Sequence, residues 1–335
     1  DAAILEAAGK LHAVVWDKTG TLTVGQHTLA GRHALAKGPL AGDPDRLLQI
    51  AAAVEAPSEH PLARAIVRAA GTVATAASDF VMHAGHGVSA TIDGTTVRIG
   101  TEAFTGTVNA ELISWATAEA AAGRTPLFVS MNGEPAGALS LADTVRPESA
   151  AAIRALAALG IESWIVSGDR QEVVKSTARE LGIPLERARG GILPGGKGEA
   201  IAEIRRNVSG AVAMVGDGVN DAPALAAADV GIAMGGGTEI AIDASAATLS
   251  GADPRGVPLL VDLSRATTRI IKQNLAWAFG YNILLVPLAA GLMLPTFGIG
   301  LDPALAAAAM GGSSVTVVLN ALRLRRLPLE RGGLA

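Results

Sequence analysis

The sequence predicts an α/β protein: a parallel sheet interrupted by a second, inserted α+β domain and followed by two long apolar helices. Three observations predict it. Three apolar runs, Leu11–Val15, Ile161–Val166 and Ala211–Val215, each lead into an Asp- or Gly-bearing segment: Trp16-Asp17, Ser167-Gly168-Asp169 and Gly216-Asp217-Gly218. Continuous apolar runs of this length read as strands buried on both faces, as in parallel sheets. More than a hundred residues separate the first run from the second, and they carry element signals of their own. Finally, no charged residue stands between Lys272 and Asp302.

The elements follow in order. Helical stretches at Glu148–Leu159, Glu172–Leu181 and Lys197–Arg206 alternate with the later strands, the pattern of a parallel sheet. Residues 1–23 and 139–254 are therefore expected to form one domain in two parts. Residues 24–138 are expected to be inserted in it. They carry helices at Asp45–Glu55, Pro61–Ala70 and Glu111–Ala122, and short strand-like runs at Val88–Ile92, Thr96–Ile99 and Leu127–Met131. Residues 255–335 are expected to hold two membrane helices, at about 275–294 and 303–322, each about as long as a bilayer is thick. Arg265, Arg269 and Lys272 precede the first span, and Arg323, Arg325 and Arg326 follow the second. That charge pattern places both ends of the hairpin in the cytoplasm.

Composition narrows the functions. The formal net charge is -4 and no Lys/Arg-rich run occurs, so nucleic acid is not an expected partner. There is no cysteine, which excludes disulfides, thiolate metal sites and cysteine nucleophiles within these residues. The first residue is Asp and no signal peptide opens the sequence, which reads as part of a longer protein.

Ligands of open α/β sheets gather at the carboxyl ends of the strands, so the three strand ends define one polar site. Phosphoryl transfer is mostly positioning and charge compensation, and the parts are present. Asp17, in Asp17-Lys18-Thr19-Gly20-Thr21-Leu22-Thr23, is the expected carboxylate nucleophile that takes the γ-phosphoryl group of ATP. Asp217 offers Mg2+ a hard oxygen ligand, and Asp221, one helical turn further on, supports it. Lys197 can neutralise a phosphoryl oxygen. Ser167 and Gly168 offer a hydroxyl and a backbone N–H. A lone Asp would read as a turn or helix cap; the seven-residue run is what makes Asp17 specific.

This core resembles the haloacid-dehalogenase-like superfamily. Its phosphatases usually carry an Asp two residues after the nucleophile, as a general acid/base. Here that residue is Thr19, so the resemblance implies an aspartyl-phosphate that persists. Asp17–Thr23, Ser167–Asp169 and Gly216–Asp221 are similar to the phosphorylation, phosphate-contact and hinge motifs of P-type ATPases, and Asp143-Thr144-Val145-Arg146 to the family's segment at the re-entry to the phosphorylation domain. Ser167 stands where the family usually has Thr; the hydroxyl is kept. The resemblance implies catalytic roles for Asp17, Lys197, Ser167, Gly168, Asp169 and Asn220, and Mg2+ at Asp17, Thr19, Asp217 and Asp221.

Ser58-Glu59-His60-Pro61 resembles the nucleotide-domain signature of the heavy-metal (type IB) branch. Read as residues alone, it is also a helix start, with Ser58 as cap and Pro61 in the first turn. Gly85-His86-Gly87-Val88 is similar to the branch's Gly-x-Gly, and Glu55 and Gly100 match two more of its positions. These imply nucleotide binding by Glu55, His60, Gly85, Gly87 and Gly100. Thr101 stands where the branch has Asn. Tyr281-Asn282 and Met310-Gly311-Gly312-Ser313-Ser314 resemble the Tyr-Asn and Met-x-x-Ser-Ser motifs of copper(I) exporters. A soft thioether suits a soft monovalent ion. Zinc and cadmium members would be expected to carry charged groups here, and neither span does. Read without the family, Asn282, Ser313 and Ser314 are helix–helix contacts and Met310 is packing. The resemblance implies ATP-driven export of copper(I), with silver as companion, Mg2+ as cofactor and a copper chaperone as partner. The setting is a bacterial cell membrane, spanned several times, with cytoplasmic catalytic domains. A zinc or other divalent-metal pump is the alternative within the family; a phosphatase with a membrane tail is the alternative outside it. The resemblance reaches only the C-terminal half of such a pump. The family's Thr-Gly-Glu actuator loop and Cys-Pro-Cys helix have no counterpart in these residues. The chain alone is therefore expected to bind Mg-ATP without completing transport.

Overall fold

The computed structural model describes residues 2–73, 75–106, 109–217, 221–236, 238–291, 295 and 303–326. The chain divides into two compact units, His12–Arg255 and Asp1–Leu11 with Gly256–Ala335.

The larger unit holds two six-stranded sheets. β1 (Leu11–Trp16) is buried from Ala13 to Trp16 and delivers Asp17. The chain then builds β2 (Thr23–Ala34), β3 (Ser78–His83), β4 (Gly87–Ile92), β5 (Thr95–Gly100), β6 (Thr125–Met131) and β7 (Glu134–Val145). These pair antiparallel in the order β2-β7-β6-β5-β4-β3. It returns as β8 (Glu162–Val166), β9 (Ala188–Arg189), β10 (Ala211–Gly216), β11 (Val230–Ala233) and β12 (Ala247–Thr248). The second sheet runs β12-β11-β10-β1-β8-β9. Within it β1 pairs parallel with β8, β8 with β9, β10 with β11 and β11 with β12. β8 and β10 thus flank β1, and the three motif-bearing strands are neighbours.

Side chains alternate across a strand, and the antiparallel sheet uses both faces. Val129 and Leu139 pack with Leu47, Val54 and Ile66 of the helices Pro44–Glu55 and Pro61–Ala70. Phe128 and Ala138 pack with Leu112 and Ala116 of the helix Ala110–Ala121. The parallel sheet is filled by Val15, Val166, Val212 and Met214 against Ile201 and Ile204 of the helix Lys197–Asn207.

The foreseen helices and strands appear within two residues or so of their expected ends. Six strands were not foreseen, β2, β3, β7, β9, β11 and β12, and two of them are the longest in the molecule. β2 and β7 are each 12 residues long and pair from Thr23↔Val145 to Ala34↔Gly137. β2 interleaves Gly, His, Thr and Arg, and β7 is rich in Ala, Gly and Ser, so neither shows the branched apolar alternation of a strand. The antiparallel sheet therefore takes in residues 139–145, which the sequence reading assigned to the phosphorylation domain.

The smaller unit contains the helices Ala2–Gly9, Gly256–Ala289 and Pro303–Leu322. Ser264 Oγ donates to the Leu5 carbonyl, and Arg265 Nε donates to the Gly9 carbonyl at 3.1 Å. Asn320 Nδ2 donates to Gln273 Oε1 at 3.2 Å and to Asn274 Oδ1 at 2.9 Å, joining the two long helices. The first long helix begins at Gly256, not 275, because Val257, Val261 and Ser264 are buried. Among the described residues no helix is long and apolar enough to cross a membrane. The expected first span runs on to 294 and so lies partly outside the described residues. Most of the expected loop 295–302 lies outside the described residues.

Candidate active site

Asp17 follows β1 directly, and its backbone N–H donates to the Val215 carbonyl of β10 at 2.9 Å. That bond sets the nucleophile beside the strand that carries Asp217. Lys197 Nζ lies 2.6 Å from Asp17 Oδ1 and 2.6 Å from Asp221 Oδ1, with all three residues buried. Lys197 opens its helix, where the positive end of the dipole disfavours a cation. The two carboxylates offset that cost. A residue that breaks a local rule inside a charge cluster points to function.

Ligand oxygens of Asp17, Asp217 and Asp221 all lie within 4.8 Å of one another. Burial, then the facing Asp221, pushes Asp17 up to about 7, with Lys197 pulling the other way. The same two causes push Asp217 up to about 6. Three close carboxylates against one lysine are short of positive charge, and their hard oxygens suit Mg2+. The residues present thus fit a divalent cation, held by Asp17, Asp217 and Asp221. Asp221 stands as the N-cap of the helix Ala222–Ala227 rather than one turn inside a helix. Thr19 is half-buried on the extended part of the turn and adds no carboxyl. Asn220, with Gly218 and Val219, lies outside the described residues.

Glycine is required at Gly20. Its φ is +77°, and a Cβ there would lie 1.9 Å from Asp217 Oδ2. The turn after Asp17 is pinned further by residues with no assigned role in the sequence reading. Arg146 Nη2 donates to the Gly20 carbonyl at 3.1 Å, and Ser149 Oγ to the Leu22 carbonyl at 2.8 Å. Lys18, also buried, pairs with Asp169 at 2.5 Å and Asp143 at 3.8 Å. Asp143 accepts from Thr23 Oγ1 at 2.5 Å and from the Gly25 N–H at 3.0 Å. Asp169 thus faces Lys18. Ser167 Oγ accepts the Asp169 N–H at 3.2 Å, shaping the turn after β8. The available signal for Lys18 was its place inside the motif; for Arg146 it was the segment Asp143–Arg146.

A cavity of about 570 Å3 is lined by Glu55, His60, Gly85, Gly87 and Gly100, and also by Gly168, Asp169 and Arg170. All five expected nucleotide residues therefore meet in one hollow that reaches the strand end of β8. His60 itself caps the helix Pro61–Ala70: its Nδ1 accepts the Leu62 N–H at 3.3 Å, which leaves the proton of the neutral ring on Nε2. Burial holds its pKa below the usual histidine value. Ser58, read as a possible cap, accepts from the His60 N–H instead. Burial pushes Glu55 up to about 7, partly offset by the Ser58 hydroxyl. Gly87 and Gly100 face each other across β4 and β5, and a Cβ on either would lie 2.1 Å from a carbonyl oxygen of the other strand. Thr101 caps the helix Glu102–Thr105 through its Oγ1.

The sequence profile of the haloacid dehalogenase-like hydrolases matches residues 11–229, a span that carries Asp17, Lys197, Asp217 and Asp221. The chain belongs to the haloacid dehalogenase-like family. Its relatives in sequence and structure are P-type ATPases. It is 42% identical over 331 residues to a copper-exporting P-type ATPase of Vibrio cholerae, covering 97% of this chain and 35% of that protein. It is 44% identical over 331 residues to a copper-transporting P-type ATPase of Rhizobium leguminosarum bv. viciae, covering 97% and 38%. It is 43% identical over 336 residues to the probable copper-exporting P-type ATPase V of Mycobacterium tuberculosis, covering 96% and 41%. The chain thus spans well under half the length of these relatives. A solved zinc-transporting PIB-type ATPase superposes with a TM-score of 0.70 at 36% identity, over 96% of this chain and 51% of that one. The catalytic domain of the CPx-ATPase CopB-B superposes with a TM-score of 0.59 at 29% identity, over 79% and 93%.

The residues expected to meet the transported metal lie in the smaller unit. Asn282 and Ser314 are exposed, while Tyr281 and Ser313 are half-buried. Tyr281 packs against Trp277, with ring centroids 6.3 Å apart. The side chain of Met310 lies outside the described residues.

Proposed function

We propose that this chain is the catalytic part of an ATP-driven copper(I) exporter that works through an acyl phosphate on Asp17. The observation that carries the reading is the buried cluster of Asp17, Lys197, Asp217 and Asp221 at the carboxyl ends of β1 and β10. ATP lies in the cavity with its base near His60 and Glu55 and its phosphates toward Gly168. An Asp17 oxygen attacks the γ-phosphorus, the bond to the β-phosphate oxygen breaks, and ADP leaves. Mg2+, when bound by Asp17, Asp217 and Asp221, supplies charge neutralisation for the phosphoryl oxygens. Lys197 holds Asp17 oriented and carries positive charge where the transferred group arrives. Ser167 and Gly168 are the proposed contacts of the phosphoryl group, with supporting roles for Asp169 and Asn220. Thr19 cannot act as a general base at neutral pH, so water attacks the acyl phosphate slowly. A stored acyl phosphate suits a transducer; a phosphatase would discharge it.

Copper(I), with silver, is the proposed cargo. The three curated relatives above are named for copper, and the charge that a divalent ion would call for is absent from 273–301 and from 303–322. Tyr281, Asn282, Met310, Ser313 and Ser314 are the proposed contacts. The solved zinc-transporting relative supports zinc as the second reading. The setting is a bacterial cell membrane, with the larger unit in the cytoplasm and a copper chaperone as the source of metal. Two measurements test the reading. Labelled ATP should leave an acid-stable, hydroxylamine-sensitive phosphate on the chain that Asp17→Asn abolishes; a label that survives this substitution sinks the nucleophile. ATPase activity of the intact pump should rise with Cu(I) and Ag(I); stimulation by Zn(II) alone sinks the cargo.

A further inference from the structure

A second hollow, of about 550 Å3, lies within the smaller unit and is lined by Lys10, Arg265, Arg269, Lys272, Glu6 and Gln273 among others. It brings four cations against one carboxylate, and that carboxylate already pairs with Lys10 at 2.6 Å. The net positive field has no counterpart in the phosphoryl site or the nucleotide cavity. Three of the cations follow a helical spacing. At 100° per residue, Arg265, Arg269 and Lys272 fall on one stripe of the helix Gly256–Ala289, and Ala276, Phe279 and Ile283 continue the same stripe. Phe279 and Ile283 are 59% and 73% exposed, so the stripe is basic at one end and bare hydrocarbon at the other. From Lys272 to Ile283 the helix rises about 16 Å. That is about half the ~30 Å hydrocarbon thickness of a bilayer, the reach of one leaflet's acyl chains.

A free anion would use the cations and ignore the apolar stripe. An uncharged lipid would do the reverse. We propose that this groove binds an anionic phospholipid, its phosphodiester headgroup against Arg265, Arg269, Lys272 and Lys10 and an acyl chain along Ala276, Phe279 and Ile283. The inference rests on the reading that this helix meets a bilayer. Each basic side chain close to an anionic headgroup strengthens binding about fivefold. Arg269 and Lys272 are exposed and can be changed without touching the Arg265–Gly9 bond that ties the short helix to the long one.

The test uses the full chain in neutral detergent micelles and reads quenching of its tryptophan fluorescence by lipids brominated on their acyl chains. Trp277 is 52% exposed on the same turn of the helix as Ala276. Brominated phosphatidylglycerol should half-quench at a concentration at least tenfold below brominated phosphatidylcholine. Arg269→Gln with Lys272→Gln should remove that preference, by about 25-fold. Arg269→Lys with Lys272→Arg should keep it, which separates lost charge from lost folding. Inorganic phosphate at the lipid concentration should not restore fluorescence. Equal quenching by both lipids overturns the headgroup site and leaves the membrane reading standing. Quenching by neither overturns both. Recovery of fluorescence with inorganic phosphate shows a free-anion site and overturns the lipid.

Discussion

The two sheets of the larger unit solve opposite electrostatic problems. At the edge of the parallel sheet, three carboxylates crowd one lysine, and burial forces Asp17 and Asp217 toward the neutral form. In the hollow of the antiparallel sheet, polar groups are satisfied locally: His60 caps its own helix, Ser58 supports Glu55, and His60 stays neutral. The first site is incomplete without added positive charge and a phosphoryl group. The second is settled apart from one desolvated carboxylate, Glu55, which burial pushes up to about 7, and it offers a few fixed donors. Burial raises the energy of a charge only when nothing compensates it, so frustration marks where chemistry is done and satisfaction marks where a ligand is merely held.

The comparison can be broken most severely at Lys197. Lys197→Met leaves buried carboxylates without their cation. Loss of one partner of such a cluster costs about 3–5 kcal/mol. Phosphorylation of Asp17 should also fall by about 100-fold or more. Thermal melting and phosphate labelling would check both; an unchanged melting temperature would show that the cluster is not under strain. Next come the paired glycine tests. Gly20→Ala should cost about 1–2 kcal/mol for its left-handed backbone, and should lower acyl phosphate formation further by pushing on Asp217. Gly100→Ala should weaken nucleotide binding and melting with little change in phosphate transferred per bound ATP, because its clash is with the His86 carbonyl and the Gly87 backbone, away from Asp17. Equal loss of phosphate transfer per bound ATP in both variants would erase the distinction between the two regions.

At Glu55 the expected effect appears only as pH rises. Its folded pKa, about 7, lies above the ordinary carboxylate value of 4.5. Between those values the folded state binds more protons than the unfolded one, so stability falls as pH rises from about 4.5 through 7. Glu55→Gln removes that dependence. It should match the parent near pH 5 and exceed it by up to about 3 kcal/mol near pH 8. Denaturant titrations at the two pH values would show it, and a constant difference between them would mean that Glu55 is not desolvated.

Much of the catalytic site was legible because its parts are contiguous. Asp17–Thr23, Ser167–Asp169 and Gly216–Asp221 each follow an apolar strand, and parallel sheets present strand ends together. Lys197 was legible as a cation near a helix start. The pairing of Lys18 with Asp169 and Asp143 was not, since it joins residues more than a hundred positions apart. β2 and β7 escaped notice because register with a partner, and not their own composition, makes them strands. The long helices were legible as apolar stretches, yet their polar residues proved to be exposed or engaged between helices.

The sequence by itself determined the parallel core, and it proposed Asp17 as nucleophile, Asp217 and Asp221 as metal-binding carboxylates and, through Thr19, a persistent phosphate, because local patterning and short motifs encode them. Tertiary structure alone decided that Lys197 bridges Asp17 and Asp221, that Gly20 must be glycine because Asp217 fills its Cβ position, and that Glu55 is pushed toward neutrality. Each of these depends on distance and desolvation between segments that chain order keeps apart.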